Sequence, residues 1–263
     1  LVFSADGHEG EADVGPDLRL AAAKFAEGFV NALSGMTREG SLYRVDLRLR
    51  PFGKDGPLAT PAAAFEDYMA NRAAIWELLA LVKLRGVGGD AGLAREAEHR
   101  VRKIIHSRGR EIDPAELGTE SRRIRHRLEA EKADRRSLRD IDIKYGEGGM
   151  LDIYFALRFL QLRDNVPDKG PDRSTGHTLQ QLMEQGSLSD ELFRPLMAGY
   201  NFLSRLDHEL RLTVGRTTRL PHANKKALEV IARRLGLRSP EELYEHLTSH
   251  RIAIRAAFDR ILE

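Results

Sequence analysis

Asp46 is the residue whose surroundings point most directly to chemistry. It lies in the run Ser41-Leu42-Tyr43-Arg44-Val45-Asp46-Leu47-Arg48-Leu49-Arg50-Pro51, with Arg44 and Arg48 two positions away on either side. A carboxylate in an otherwise apolar and basic segment is costly unless paired, so one reading is a local ion pair. The other is a metal-binding carboxylate beside arginines that hold phosphate, because Mg2+ takes oxygen ligands and guanidinium forks match phosphate oxygens. Spacing alone leaves both open.

A second constellation is Lys144-Tyr145-Gly146-Glu147-Gly148-Gly149-Met150-Leu151-Asp152. Glycines just before a helix let backbone N–H groups approach an anion, and Lys144 adds charge. The same pattern makes a tight helix-entry turn closed by local residues. Lys83 and Arg85 sit on the helix expected to carry Trp76, where they reach either a phosphate or solvent; the single Trp is expected in the core. The sequence contains no HExxH, GxSxG or Walker pattern, so zinc-protease, α/β-hydrolase and P-loop readings lack support.

The elements that must hold these residues are legible as patterns. Leu1 to Phe3 reads as a strand tail, Asp6 to Pro16 as a loop, and Asp17 to Leu33 as a helix closed by Gly35. In Ser41–Pro51, apolar Tyr43, Val45, Leu47 and Leu49 alternate with Arg44, Asp46, Arg48 and Arg50, which predicts a two-faced strand. Arg50 to Pro61 is rich in Gly and Pro and predicts a loop. From Pro61 onward helices are expected, with further ones at about 91 to 110 and 114 to 137. Glu129 and Arg125 on the latter fit a solvated surface pair. Helices at 150 to 162, 177 to 185, 189 to 214, 224 to 236 and 240 to 262 complete the chain, the last with a Ser239-Pro240 start. The expected architecture is a small α/β part at 1–60 followed by an all-helical domain at 61–263, with a sub-boundary near 140.

Composition narrows the class. The 263 residues carry 42 Lys+Arg against 40 Asp+Glu, 41% hydrophobic residues and no Cys. A chain of this length can bury about three quarters of its unfolded surface, enough for a real core. Without Cys there are no disulfides, thiolate metal sites or cysteine nucleophiles, as fits a reducing cytoplasm. The near balance of charge gives no case for bulk capture of nucleic acid. No apolar run approaches a membrane span, so a soluble protein is expected.

From Leu42 to Gly53, with Gly56-Pro57-Leu58, the sequence closely resembles the glutamine synthetase adenylyltransferase family. The likeness continues through Tyr68, Trp76-Glu77, Ala80 to Arg85 and Gly89-Asp90, and resumes at Asp142-Ile143-Lys144, Gly148-Gly149 and Asp152-Ile153. The resemblance implies a polymerase β-like nucleotidyltransferase domain, truncated here, followed by a helical domain. It also implies transfer of AMP from ATP to a tyrosine of glutamine synthetase, or phosphorolytic removal of that AMP as ADP, in the cytoplasm. Asp46 would then be the third carboxylate of a Mg2+ site, Arg48 and Arg50 would lie beside the nucleotide phosphates, and Lys83 and Lys144 would be secondary phosphate or substrate contacts. Two-metal phosphoryl-type transfer suits this set. A PII-type regulator is a further partner that the family suggests.

Two departures stand out. The family's first two carboxylates lie in a Gly-Ser…Asp-x-Asp turn just ahead of the segment that Leu1-Val2-Phe3 resembles, and the chain opens there without Met. The expectation is a fragment with one of three metal carboxylates, inactive by itself. Tyr154 stands where the family usually has Glu, and a phenol cannot replace a carboxylate as an anionic ligand at neutral pH. Whether this is the adenylylating or the removing half stays open. A different class of function, a non-catalytic helical module that docks proteins, is the alternative. RNA nucleotidyl transfer ranks below both, because the Arg-rich stretch from Ser121 to Arg139 has no aromatic for base stacking.

Overall fold

A computed structural model describes residues 2–3, 15–132, 141–168 and 170–263. The chain is mainly α-helical and divides into two compact units, Leu1–Gly109 and Arg110–Glu263, the division falling in the last turn of a long helix.

The first unit contains β1 (Val2–Phe3), α1 (Pro16–Ser34), a 3-10 turn (Gly53–Asp55), β2 (Thr60–Pro61), α2 (Ala62–Asn71), α3 (Ile75–Leu81) and most of α4 (Ala91–Glu111). The strands pair in parallel, Val2 with Thr60 and Phe3 with Pro61. Helix α1 spans the predicted stretch and ends at Gly35, yet buries only Ala26, while Phe25 and Phe29 stack at 6.4 Å on its exposed face. Phe65, Tyr68, Met69, Ala73, Leu78 and Val82 form the core. Arg108 of α4 ties that core together by donating to the carbonyls of Met69 at 2.9 Å and Ala73 at 2.8 Å.

Three expectations for this unit are corrected. Residues 41–50 form no strand ladder. The segment instead runs past the end of α1, with Tyr43 N–H donating to Leu33 O at 2.9 Å and Val45 N–H to the Ser34 hydroxyl at 3.4 Å. Alternation is necessary for a two-faced strand but does not provide a neighbour, and Tyr43 and Leu49 stay exposed. The helix expected to join Trp76 to Lys83 and Arg85 ends at Leu81, with Val82 as its cap, so both cations lie beyond it. Trp76 is 38% exposed and no core residue, because Phe65, Leu78 and Leu79 fill the apolar side.

The second unit comprises α5 (Pro114–Lys132), α6 (Met150–Arg163), α7 (Thr175–Glu184), α8 (Asp190–Thr213), α9 (Lys225–Arg234) and α10 (Pro240–Leu262). The predicted continuation of α5 to residue 137 and the predicted loop at Asp6 to Val14 lie outside the described residues. Helix α6 is apolar nearly all round and accordingly central, burying Ile153, Ala156, Leu157, Phe159 and Leu160. Helix α10 packs against α5, α6, α8 and α9. Its start follows the sequence signal: Pro240 opens the first turn and the Ser239 hydroxyl accepts from Glu242 N–H at 3.3 Å.

Candidate active site

Residues 42–56 adopt an extended path and a tight turn that exposes Asp46. Arg48 grips its carboxylate as a fork: Nε donates to Oδ1 at 3.0 Å and Oδ2 at 3.1 Å, and Nη2 to Oδ2 at 2.7 Å. The Arg48 backbone N–H adds a fourth bond to Oδ1 at 3.0 Å. The side-chain and backbone bonds from Arg48, with Arg44 nearby, hold the carboxyl down to about 2, so Asp46 is ionised at any working pH. Its side chain is 55% exposed. Both sequence readings meet here: the ion pair exists, and the anion is accessible.

Arg50 is placed differently from Arg48. Its guanidinium donates to three backbone carbonyls, Leu47 at 2.6 Å, Lys54 at 3.0 Å and Gly56 at 3.0 Å. It thereby clasps the turn that follows Asp46. Within that turn Phe52 is left-handed at φ 62° and Gly53 follows at φ 57°. Gly56 has no alternative, since a Cβ there would overlap the Pro51 carbonyl. The Phe52 ring meets Tyr68 edge-on, with centroids 4.9 Å apart and planes at 65°. Tyr68 is fixed in turn, its hydroxyl donating to Glu77 Oε1 at 2.7 Å, and Glu77 Oε2 accepting from Ala74 N–H at 2.9 Å. Burial, then Glu77, pushes the Tyr68 phenol up. Lys83 is half-buried just past α3.

Lys144 belongs to the second unit. The Asp142 carboxylate organises its turn by accepting from the N–H groups of Lys144 and Tyr145, both at 2.9 Å, and Lys144 Nζ lies 5.4 Å from the Tyr145 ring centre. The glycines beyond are occupied by the chain itself. Gly148 has φ +65°, donates to Asp152 Oδ2 at 2.7 Å, and packs so closely on Arg251 that a Cβ would overlap its backbone.

Sequence reasoning missed the most buried charges in this unit. Arg125 of α5 and Asp152 of α6 are both fully buried and paired through Arg125 Nε. Arg125 also donates to Gly146 O at 2.9 Å and Glu129 at 3.2 Å, and Arg255 approaches Asp152 at 3.7 Å. Burial pushes the Asp152 carboxyl up, against the opposing pull of Arg125. Arg125 is therefore no surface residue. A carboxylate in the first turn of a helix apolar on every side was the available signal, since such a group demands a buried cation. Tyr154, on the same helix, is half-buried; desolvation and then Tyr200 push its phenol up, so it sits there uncharged.

An open depression lined by Pro221, Ala223, Asn224, Lys225 and Lys226 contains none of the residues that the sequence singles out. Among the described residues no group of three His, Cys, Asp or Glu could hold a metal ion, and no helix is long and apolar enough to cross a membrane. Asp46, ionised and accessible, fits one corner of a Mg2+ coordination shell, an ion that retains waters and takes its other oxygens from phosphates.

Comparison with known proteins places the chain. Residues 1–100 match the family described as Glutamate-ammonia ligase adenylyltransferase, and residues 120–262, more than half of the chain, match GlnD PII-uridylyltransferase. The chain belongs to the glutamine synthetase adenylyltransferase family. It is similar to the bifunctional glutamine synthetase adenylyltransferase/adenylyl-removing enzyme of Chromobacterium violaceum, 32% identical over 217 residues, covering 82% of this chain and 24% of that protein. The protein of the same description from Brucella suis biovar 1 is 28% identical over 258 residues, covering 98% of this chain and 25% of its own length. The chain thus spans about a quarter of the length of these relatives.

Proposed function

We propose that this chain contributes to an enzyme that adds AMP to, or removes it from, a tyrosine of glutamine synthetase in the cytoplasm, with residues 1–60 as part of a polymerase β-like nucleotidyltransferase domain and 61–263 as the helical domain. In the forward reaction the phenolic oxygen attacks the α-phosphorus of ATP, the bond to the β-phosphate oxygen breaks, pyrophosphate leaves and the phenol loses its proton. In the separate removing reaction an oxygen of inorganic phosphate attacks the phosphorus of the AMP-tyrosine ester, the bond to the phenolic oxygen breaks, and ADP and tyrosine form. A PII-type regulator is a further proposed partner.

The observation that carries this reading is the accessible Asp46 carboxylate, gripped by the Arg48 fork, within the stretch that matches the adenylyltransferase family. Asp46 is proposed as a Mg2+ ligand; the bound ion would supply charge neutralisation at the phosphates. Arg48 exchanges its bond to Asp46 for phosphate oxygens, while Arg50, whose fork retains N–H groups beyond its three carbonyl bonds, borders the same phosphates. Lys83 is a secondary phosphate contact. Lys144, in the second unit, is proposed separately as a phosphate or substrate contact. By itself the chain is expected to transfer AMP poorly or not at all, because one carboxylate cannot hold two Mg2+ ions.

The test is binding of ATP in the presence of Mg2+ to this chain and to its Asp46→Asn variant, followed by titration calorimetry. A Mg2+-dependent affinity that falls about tenfold or more in the variant supports the reading. Unchanged affinity in the variant would leave Asp46 as a local ion-pair member only and sink it.

A further inference from the structure

Phe52 is an aromatic side chain that local contacts hold in place yet leave largely open. Its backbone is left-handed at φ 62°, a conformation that bulky L residues adopt only when their surroundings compel it. Glycine or asparagine would satisfy the same turn without strain. Nor is the ring there to fill the core, since Phe52 remains 55% exposed.

The structure nonetheless fixes this exposed ring from two directions. Arg50 ties the carbonyls of Leu47, Lys54 and Gly56 together and so sets the backbone around position 52. Tyr68 supports the ring edge-on, and Tyr68 is itself anchored by the buried Glu77. An exposed aromatic held in this way is pre-organised and loses little freedom on receiving a flat ligand. The same turn follows Asp46 and Arg48 by only a few residues, so one short segment carries both anion-handling groups and a planar apolar surface.

We propose that Phe52 is a stacking platform for the purine base of the nucleotide, with Arg50 and Tyr68 as its positioning residues. This rests on the nucleotide-binding reading above and adds the part of the ligand that the charged residues do not address. Each base offers a π-face to an aromatic ring, and such stacking changes affinity by amounts readily measured.

The experiment compares two probes, ATP and inorganic tripolyphosphate, each with Mg2+, against this chain and its Phe52→Leu, Phe52→Tyr and Asp46→Asn variants. Phe52→Leu is expected to weaken ATP about tenfold and leave tripolyphosphate unchanged, with Phe52→Tyr keeping the affinity for ATP. Equal losses for both probes would make the ring a structural support only and overturn the proposal. Unchanged ATP affinity in Phe52→Leu, with Asp46→Asn still weakened, overturns the stacking role alone. An unmodified chain that binds no ATP overturns stacking and the nucleotide reading together.

Discussion

Arg125 and Asp152 form an ion pair with neither side chain exposed, joining α5 to the first turn of α6. The pair is completed by Gly146 O and Glu129 on the arginine, and by Gly148 N–H and Arg255 on the aspartate. It therefore links two helices to the glycine turn between residues 142 and 149. Removing one member strands the other charge where water cannot reach it. Asp152→Ala is expected to lower the stability of the second unit by about 3–5 kcal/mol, read from urea unfolding. The double variant Arg125→Met/Asp152→Leu should recover much of that loss, and a double variant as unstable as the single one would refute the stranded-charge account.

Gly148 tests the same turn through its backbone. With φ +65° and Arg251 packed against its Cα, alanine meets both an unfavourable conformation and a collision. Gly148→Ala should cost at least about 1 kcal/mol and raise amide exchange at Gly148 and Asp152. An unaltered melting temperature would show that α10 can shift to make room.

The Asp46 carboxyl makes a pH prediction. Because its folded value is depressed from 3.8 to about 2, the Arg48 pair contributes fully above pH 3.8 and is lost as pH falls through about 2. The pair is solvent-exposed, so global stability should hardly change while the local segment loosens. Carboxyl-carbon NMR should place the midpoint near 2 in the unmodified chain and return it toward 3.8 in Arg48→Ala. Coincident midpoints in the two proteins would remove Arg48 as the cause.

Arg50 should matter through the carbonyls that it holds. Arg50→Met is expected to cost about 1–3 kcal/mol and to speed amide exchange at Gly53 and Gly56, whose N–H bonds close the same turn. Arg50→Lys should not restore protection, because an ammonium lacks the planar fork that spans three acceptors. Full protection in the lysine variant would show that charge alone suffices.

Most helices of both units were legible because their information is local. The apolar spacing of α6, the Ser239-Pro240 start of α10 and the Gly35 stop of α1 each lie within a few residues of the boundary that they set. The family likeness was equally readable, because residues 42–53 form one uninterrupted motif and chemistry of that kind is conveyed by order along the chain. What tertiary structure decided depends on partners remote in sequence. Residues 41–50 have the alternation of a strand but find the end of α1 beside them instead of a neighbouring strand. The alternation of Arg44, Asp46, Arg48 and Arg50 does not distinguish a guanidinium that grips a carboxylate from one that clasps three carbonyls; Arg48 does the first and Arg50 the second because the chain turns back only after Pro51. Arg125 looks like any surface arginine until Asp152, 27 positions later, arrives beneath it. Helical periodicity records which face is apolar; only folding brings the counter-charge that makes a buried ion tolerable.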